Sequence, residues 1–423
     1  MIIDLTIKNF RSIKEEQTFS FYAEKSLNHF KDNIAYPGDG NIGVLRSSGV
    51  YGANASGKSN MLLAFEALRF MVCQSGDLKD DDIIEPYEPF RLSKSTSNEP
   101  TLFEIEFFTL ENIRFVYRIE FDSKEIKFES LDFYPSLKKA NLFTRNGKKS
   151  WKDVKFGSTY KGGKKQYAFF SNNSYLSKAG NSADSPEIIR TVYNFFRKSV
   201  LHLNPDESYN LSKWKDDKVL VGKIARILMK VDTGITGIQF KENTDIDHFK
   251  FPSDIPDSLK NHIIKDLKKQ AWFTHETEEG DVELFSESIE SSGTRKLFNM
   301  LPLLMKTFDE GSVLILDELD QSYHSHLAEL IIKLFNNPLI NKNNSQLIFS
   351  THNLNLMSPE LFRRDQIWFS EKSKGATKFY SLDEYDKSTV KSNSPFGKWY
   401  EEGRFGAIPN IDINVIASIL KGE

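Results

Sequence analysis

One cysteine, Cys73, in 423 residues excludes an intramolecular disulfide and any multi-cysteine metal site, and fits a reducing compartment. No run approaches eighteen apolar residues, which leaves no candidate for a membrane-spanning helix. The opening MIIDLTIKNFRSIKEE lacks the charged start and apolar run of a secretory signal. The expectation is a cytoplasmic protein with no membrane contact. An excess of one charge sign is missing as well: 56 Lys and Arg stand against 59 Asp and Glu, a formal net charge of −3. Charge therefore gives no global reason to expect nucleic-acid binding. Sustained heptads are absent from residues 126–280, which excludes a long coiled coil there.

What is present is the composition of a folded protein, 39% hydrophobic and 27% charged, in a chain long enough for one large domain or two ordinary ones. Clustered lysines occur from Lys138 to Lys165, with Trp151, Phe156 and Tyr160 between them. A solvated, turn-rich surface is the favoured reading of that stretch, and a nucleic-acid contact the lesser one.

The stretch YGANASGKSN, residues 51–60, carries the chemistry. Val44, Leu45 and Val50 before it can supply a strand, and Met61, Phe65, Leu68 and Val72 after it fall at helical spacing. Between them stands Gly52-x-x-x-x-Gly57-Lys58-Ser59, the phosphate-binding loop pattern. Its glycines permit positive φ, so that backbone N–H groups of Asn54, Ala55, Ser56 and Asn60 and the helix start can face phosphate oxygens. Lys58 can reach the β- and γ-phosphates of ATP, and the Ser59 hydroxyl can ligate Mg2+.

Two later segments complete the set. The continuous apolar run Val313–Leu316 reads as a strand buried on both faces and ends in Asp317-Glu318. Asp317 at that position can hold the magnesium, and Glu318 can polarise the attacking water. Leu347–Phe349 repeats the pattern and leads to His352, which can donate to a γ-phosphate. About two dozen residues before Asp317, Ser291-Ser292-Gly293-Thr294 opens a helix bearing Leu297, Leu301 and Leu304, with Pro302 as a kink. That helix start is a second anion site in a chain whose phosphates are already served, which makes sense if it acts on another subunit.

With these motifs the chain resembles the ABC-type ATPases of the SMC, RecF and OLD class. The resemblance implies an α/β fold: a P-loop ATPase head with mixed sheets flanked by helices, bound to ATP and Mg2+. It further implies a homo-oligomer, a head-to-tail dimer or larger, in which Lys58, Ser59, Asp317, Glu318 and His352 of one subunit face Ser291 and Gly293 of the other. Within LTIKNFRSIKE, Arg11 matches the class's candidate nucleotide contact. The match departs in three places. No Q-loop glutamine stands near the alternating Thr101–Phe108 stretch, where Glu104 and Glu106 are the nearby acids. Glu290 and Ser292 replace signature residues, and His324 occupies the place of the D-loop aspartate.

The expected organisation is an N-terminal lobe (1–125), an inserted, mostly helical lid (126–280) and a C-terminal lobe (281–423). SPEIIRTVYNFFRKSVLHL and DSLKNHIIKDLKKQAWF read as amphipathic helices of the lid, the first with Ile188, Val192, Phe195 and Phe196 near one face. About 70 residues follow His352, too few for a TOPRIM nuclease domain. The ending, with Gly403-Arg404-Phe405-Gly406, resembles stand-alone ATPases of abortive-infection operons. That implies an ATPase regulating a separate effector, such as a TOPRIM-like or RloB-like nuclease, in anti-phage defence. Two other readings remain open: a RecF-like repair ATPase that binds DNA directly, and a nucleotide-switched scaffold with negligible turnover.

Overall fold

A computed structural model describes residues 1–147, 151–203, 214–231, 234–242, 269–322, 325–408 and 413–421. The chain divides into two compact units. Met1–Pro205, Glu310–Gln321 and Ser325–Glu423 form the larger; Asp206–Asp309 with Ser322–His324 form the smaller.

The larger unit contains a six-stranded sheet. Its strands are β5 (Ser47–Gly52), β11 (Val200–Leu203), β15 (Val313–Leu316), β16 (Gln346–Ser350), β17 (Ile367–Ser373) and β18 (Ala376–Ser381). They lie in the order β11-β15-β16-β5-β17-β18. All neighbours run parallel except the edge strand β18. Every residue of β5, β15 and β16 is buried, as a parallel sheet covered on both faces requires. Helix α1 (Lys58–Cys73) follows β5 directly and buries Met61, Phe65, Leu68 and Val72, the residues whose spacing predicts it.

A second sheet comprises β1 (Ile2–Lys8), β2 (Gln17–Ser20), β6 (Thr101–Phe108), β7 (Arg114–Phe121), β8 (Ile126–Tyr134), β9 (Ala140–Asn146) and β10 (Lys155–Phe156). It is antiparallel throughout, in the order β10-β9-β8-β7-β6-β1-β2. A short hairpin, β3 (Ile34–Ala35) with β4 (Val44–Leu45), precedes β5. The side chain of buried Gln346 on β16 joins the two main sheets. It accepts from the Ile2 N–H at 2.7 Å and donates to the Ile2 and Leu45 carbonyls, both at 3.0 Å.

The smaller unit has a three-stranded antiparallel sheet, β12 (Ile235–Glu242), β13 (Lys269–Glu276) and β14 (Val282–Ser286), with helices Lys218–Leu228 and Ser292–Glu310. Pro302 lies inside the second helix.

These observations correct the expected lid. Residues 126–146 are not part of an insertion: β8 and β9 continue the antiparallel sheet, and the smaller unit begins at Asp206. Its described part combines a three-stranded sheet with two helices. The expected helix from Ser185 stops early. Glu187–Asn194 is helical, Phe195–Ser199 forms a π-turn, and Val200–Leu203 is β11, paired in parallel with β15. The wider turn sends both Phe195 and Phe196 onto Phe107, at ring separations of 4.3 and 5.4 Å, and frees the apolar run after it to close the sheet edge. In the second expected helix, Lys269–Phe273 belongs to β13; residues 257–268 lie outside the described residues. Two rings in the lysine-rich stretch have packing partners: Phe156 and Tyr160 pack edge-on at 5.0 Å, and the buried Tyr160 hydroxyl bonds that of Tyr175 at 2.7 Å.

Candidate functional site

Strands β5, β15 and β16 lie side by side and parallel, so their carboxyl ends deliver Gly52, Asp317 and Ser350 to one edge of the sheet. Ligand sites of open α/β sheets form at such an edge. A cavity of about 1420 Å³ opens there, lined by all of Tyr51–Asn60 together with Glu318, Asp320, Thr351 and His352.

The loop is shaped for close approach of its backbone. Gly57, the residue before α1, has φ 108°, and Ala55 has φ 59°. A Cβ on Gly57 would stand 2.3 Å from Thr377 Oγ1 and 2.8 Å from Ser12 Oγ. Hydroxyls lock the loop from beneath: Ser56 to Ser370 at 2.6 Å, Thr377 to the Ser56 carbonyl at 2.7 Å and Ser12 to Thr377 at 2.7 Å. Lys58 is buried and folded back, its ammonium donating to the carbonyls of Gly52 at 3.0 Å and Ala53 at 3.2 Å. Burial pushes its pKa down to about 8, against the opposing pull of Asp317, Glu318 and Asp320. A cation desolvated in this way gains most from an arriving polyanion.

Across the pocket, the loop after β16 is fastened in sequence to the segment after β15. Ser350 Oγ donates to Asp317 Oδ1 and accepts from the Glu318 N–H at 2.8 Å. Asp320 Oδ1 accepts from Thr351 Oγ1 at 2.6 Å and from the His352 N–H at 3.0 Å. Asn353 Nδ2 donates to Ser325 Oγ at 2.8 Å. Glu318 takes a left-handed φ of 52°, a conformation that costs a non-glycine residue on the order of 1 kcal/mol and is typical of functional positions. Burial first, and the Lys58 charge second, hold the His352 pKa below its usual value, so His352 is neutral at pH 7 and retains one N–H donor.

The expected residues Gly52, Asn54, Ala55, Ser56, Gly57, Lys58, Ser59, Asn60, Glu318 and His352 all line this cavity, and Asp317 is tied to it through Ser350. Arg11 is not in the lining. It has φ 52°, pairs with Glu88 at 2.8 Å and approaches Asn60 Oδ1 at 3.5 Å, beside the start of α1. Ser291 and Gly293 belong to the smaller unit. There Ser291 Oγ accepts from the Thr294 N–H at 3.1 Å, capping the Ser292–Glu310 helix, and Glu290 bonds His275 at 2.7 Å. Glu104 and Glu106 pair with Arg118 and Arg114 on β7, which explains them without a ligand. His324 lies outside the described residues.

Asp320, Ser350 and Thr351 carry no motif signal beyond their proximity to Asp317 and His352. The C-terminal wall of the pocket carries none at all. Tyr400, Ala407 and Ile408 line it, and the Ala407 carbonyl accepts both the Ala53 N–H at 3.1 Å and the Tyr400 hydroxyl at 2.7 Å.

The family model described as "AAA domain, putative AbiEii toxin, Type IV TA system" matches residues 47–358. The chain belongs to this family of P-loop ATPases, in agreement with the class that its motifs resemble. Among solved structures it is similar to the SMC head domain from Thermotoga maritima, with 14% identity, 90% of this chain and 98% of that chain covered and a TM-score of 0.37. An SMC head domain with an extended coiled coil derived from Pyrococcus furiosus, bound to the C-terminal domain of ScpA, gives 13%, 95%, 99% and 0.41. The recombination mediator protein RecF with ATP gives 13%, 90%, 97% and 0.34. No curated protein matches the chain. Among the described residues no helix is long and apolar enough to cross a membrane.

Proposed function

We propose that the protein hydrolyses ATP as a dimer or larger assembly, and that this cycle controls a separate effector in anti-phage defence. The observation that carries the first part is the gathering of Lys58, Glu318 and His352 around one cavity, with Asp317 held at its edge by Ser350.

On nucleotide binding Lys58 exchanges the Gly52 and Ala53 carbonyls for β- and γ-phosphate oxygens. The N–H groups of Ala55 to Ser59 surround the phosphates. His352 donates to the γ-phosphate, and Glu318 orients and polarises the attacking water. No cluster of three or more His, Cys, Asp or Glu that could hold a metal occurs among the described residues. The donors on offer, the Ser59 hydroxyl and the Asp317 carboxylate, suit Mg2+, which takes one or two protein oxygens and completes its shell with water and phosphate. When bound, that ion would neutralise charge developing on the phosphates.

The signature-like Ser291 and Gly293 would complete the site from a second copy, their helix start facing the γ-phosphate. The defence role is supported by the words of the family's description, "putative AbiEii toxin, Type IV TA system". Phe156 and Tyr160 pack edge-on against each other and Tyr160 is buried, so these two rings do not offer the stacking faces that a direct DNA-binding reading would use.

The test is ATP turnover at several protein concentrations for wild type and Glu318→Gln, with light scattering of both in ATP. Turnover per subunit should rise with concentration, and Glu318→Gln should lower it about 100-fold or more while accumulating a larger ATP-bound species. Tight binding without turnover at any concentration would sink the hydrolase reading and leave a nucleotide-switched scaffold.

A further inference from the structure

The two segments that follow β15 and β16 at the pocket are joined by a ladder: Ser350 to Asp317 and Glu318, Thr351 and His352 to Asp320, and Asn353 to Ser325. Its middle rung differs from the others. One carboxylate oxygen of Asp320 takes both a side-chain donor and the backbone N–H of His352, and charge-assisted bonds of this kind are about twice as strong as neutral ones. Asp320 also lines the cavity itself. It follows closely on Asp317, in the short helix Leu319–Ser322.

We propose that Asp320 is a positioning residue that sets the height and orientation of His352 over the γ-phosphate, and so ties sensing at His352 to the carboxylates that follow β15. The inference rests on the ATP reading of the pocket. Thr351 Oγ1 in turn accepts from the Asn353 N–H at 3.0 Å, so releasing Asp320 frees the turn that carries the histidine. The sheet beneath keeps its own bonds, including Thr351 N–H to the Val50 carbonyl at 3.1 Å. Loss of Asp320 therefore releases the histidine while the hydroxyl bonds that hold the phosphate loop stay in place, although it also removes one of three carboxylates that act on the Lys58 charge.

The experiment compares full-length wild type, Asp320→Ala, Asp320→Asn, His352→Ala and the Asp320→Ala/His352→Ala double variant in steady-state ATP turnover and in ADP affinity. Asp320→Ala should lower kcat about tenfold or more, as misplacement of a reacting-site group does, with ADP affinity within about twofold of wild type. Asp320→Asn, which keeps the acceptor oxygen, should recover most of the loss. The double variant should fall no further than His352→Ala alone, since the two residues act as one unit. Wild-type kcat in Asp320→Ala, losses that multiply in the double variant, or ADP affinity falling in step with kcat would each overturn the inference. Should Asp320→Ala fail to fold, Thr351→Val removes one rung partner. It should give a smaller loss that vanishes in the His352→Ala background, and an undiminished loss there would count against the role. Should wild type bind ATP without turning it over, the hydrolase reading fails separately. The positioning role is then read from the ratio of ATP to ADP affinity, which Asp320→Ala must lower if it is right and leave unchanged if it is wrong.

Discussion

Lys58 is held where a lysine is costly. It is buried, its pKa is pushed down to about 8, and its partners are two carbonyls of its own loop. Such a site trades stability for readiness to bind phosphate. Lys58→Met keeps the stem and removes the buried charge. The nucleotide-free variant is expected to melt no lower than wild type, while the rise in melting temperature produced by ATP disappears; differential scanning fluorimetry with and without ATP checks both. Cys73 makes an opposite case, a group whose surroundings disfavour its charged form. Burial pushes its thiol up to about 11, only partly offset by Arg69 and Arg197. A raised thiol pKa means less thiolate at a given pH, so alkylation by iodoacetamide at pH 8 should run roughly 100-fold slower than for an exposed cysteine. The rate should climb until the pH reaches about 11. An intact-mass time course from neutral to alkaline pH measures it, and rapid modification at neutral pH would contradict the burial.

Elements whose sequence period and end signals agree are legible from residue order alone. The loop and α1 fall where the apolar spacing and the Gly52 to Ser59 pattern place them, and β15 and β16 match the two continuous apolar runs; the strand expected to carry Val44, Leu45 and Val50 is split, with Val50 on β5 and Val44 and Leu45 on β4, paired with β3. The helix expected over 185–203 is only partly legible, because a short apolar run fits a buried strand and a buried helix equally well, and nothing local marks a π-turn. Backbone shape inside the loop is legible only as a glycine requirement, and the structure gives it a reason. Gly57 combines φ 108° with hydroxyls of Thr377 and Ser12 standing where a side chain would go. Gly57→Ala must therefore either rotate the peptide or push β18 away from the loop. Destabilisation of roughly 1–3 kcal/mol is expected, read as a lower urea midpoint, together with loss of ATP binding. A variant with wild-type stability would show that the loop relaxes freely.

At the scale of the whole molecule, the parallel order of the ATPase sheet can be argued from motifs, but the extent of the antiparallel sheet cannot. Strands β8 and β9 read as the start of an insertion because their alternation is irregular: in β8 three consecutive residues, Glu129, Ser130 and Leu131, are buried. Glu129 is a carboxylate in the core, which pattern reading assigns to a surface. Its oxygens are satisfied by Ser174 Oγ at 2.8 Å and the N–H groups of Tyr175 and Leu176 at 2.8 and 3.0 Å. Equally hidden is the way the two main sheets of the larger unit are joined. A glutamine opening β16 looks like a strand-end polar residue, yet Gln346 is fully buried and satisfies one N–H and two carbonyls belonging to Ile2 and Leu45. Replacing it with the near-isosteric Met leaves three backbone groups without their partner in a dry position. Each such group costs about 1–3 kcal/mol, so Gln346→Met should lower stability by at least about 2 kcal/mol although it lies at the opposite end of β16 from Ser350. The nucleotide pocket predicts a distinct readout. Because Gln346 touches neither the loop nor the ladder, ATP should still raise the melting temperature of the folded fraction by the wild-type increment. A variant that kept its stability would mean the sheets are held by apolar packing alone. One that kept its fold but lost the ATP shift would mean that the joint between the sheets also sets the register of the pocket.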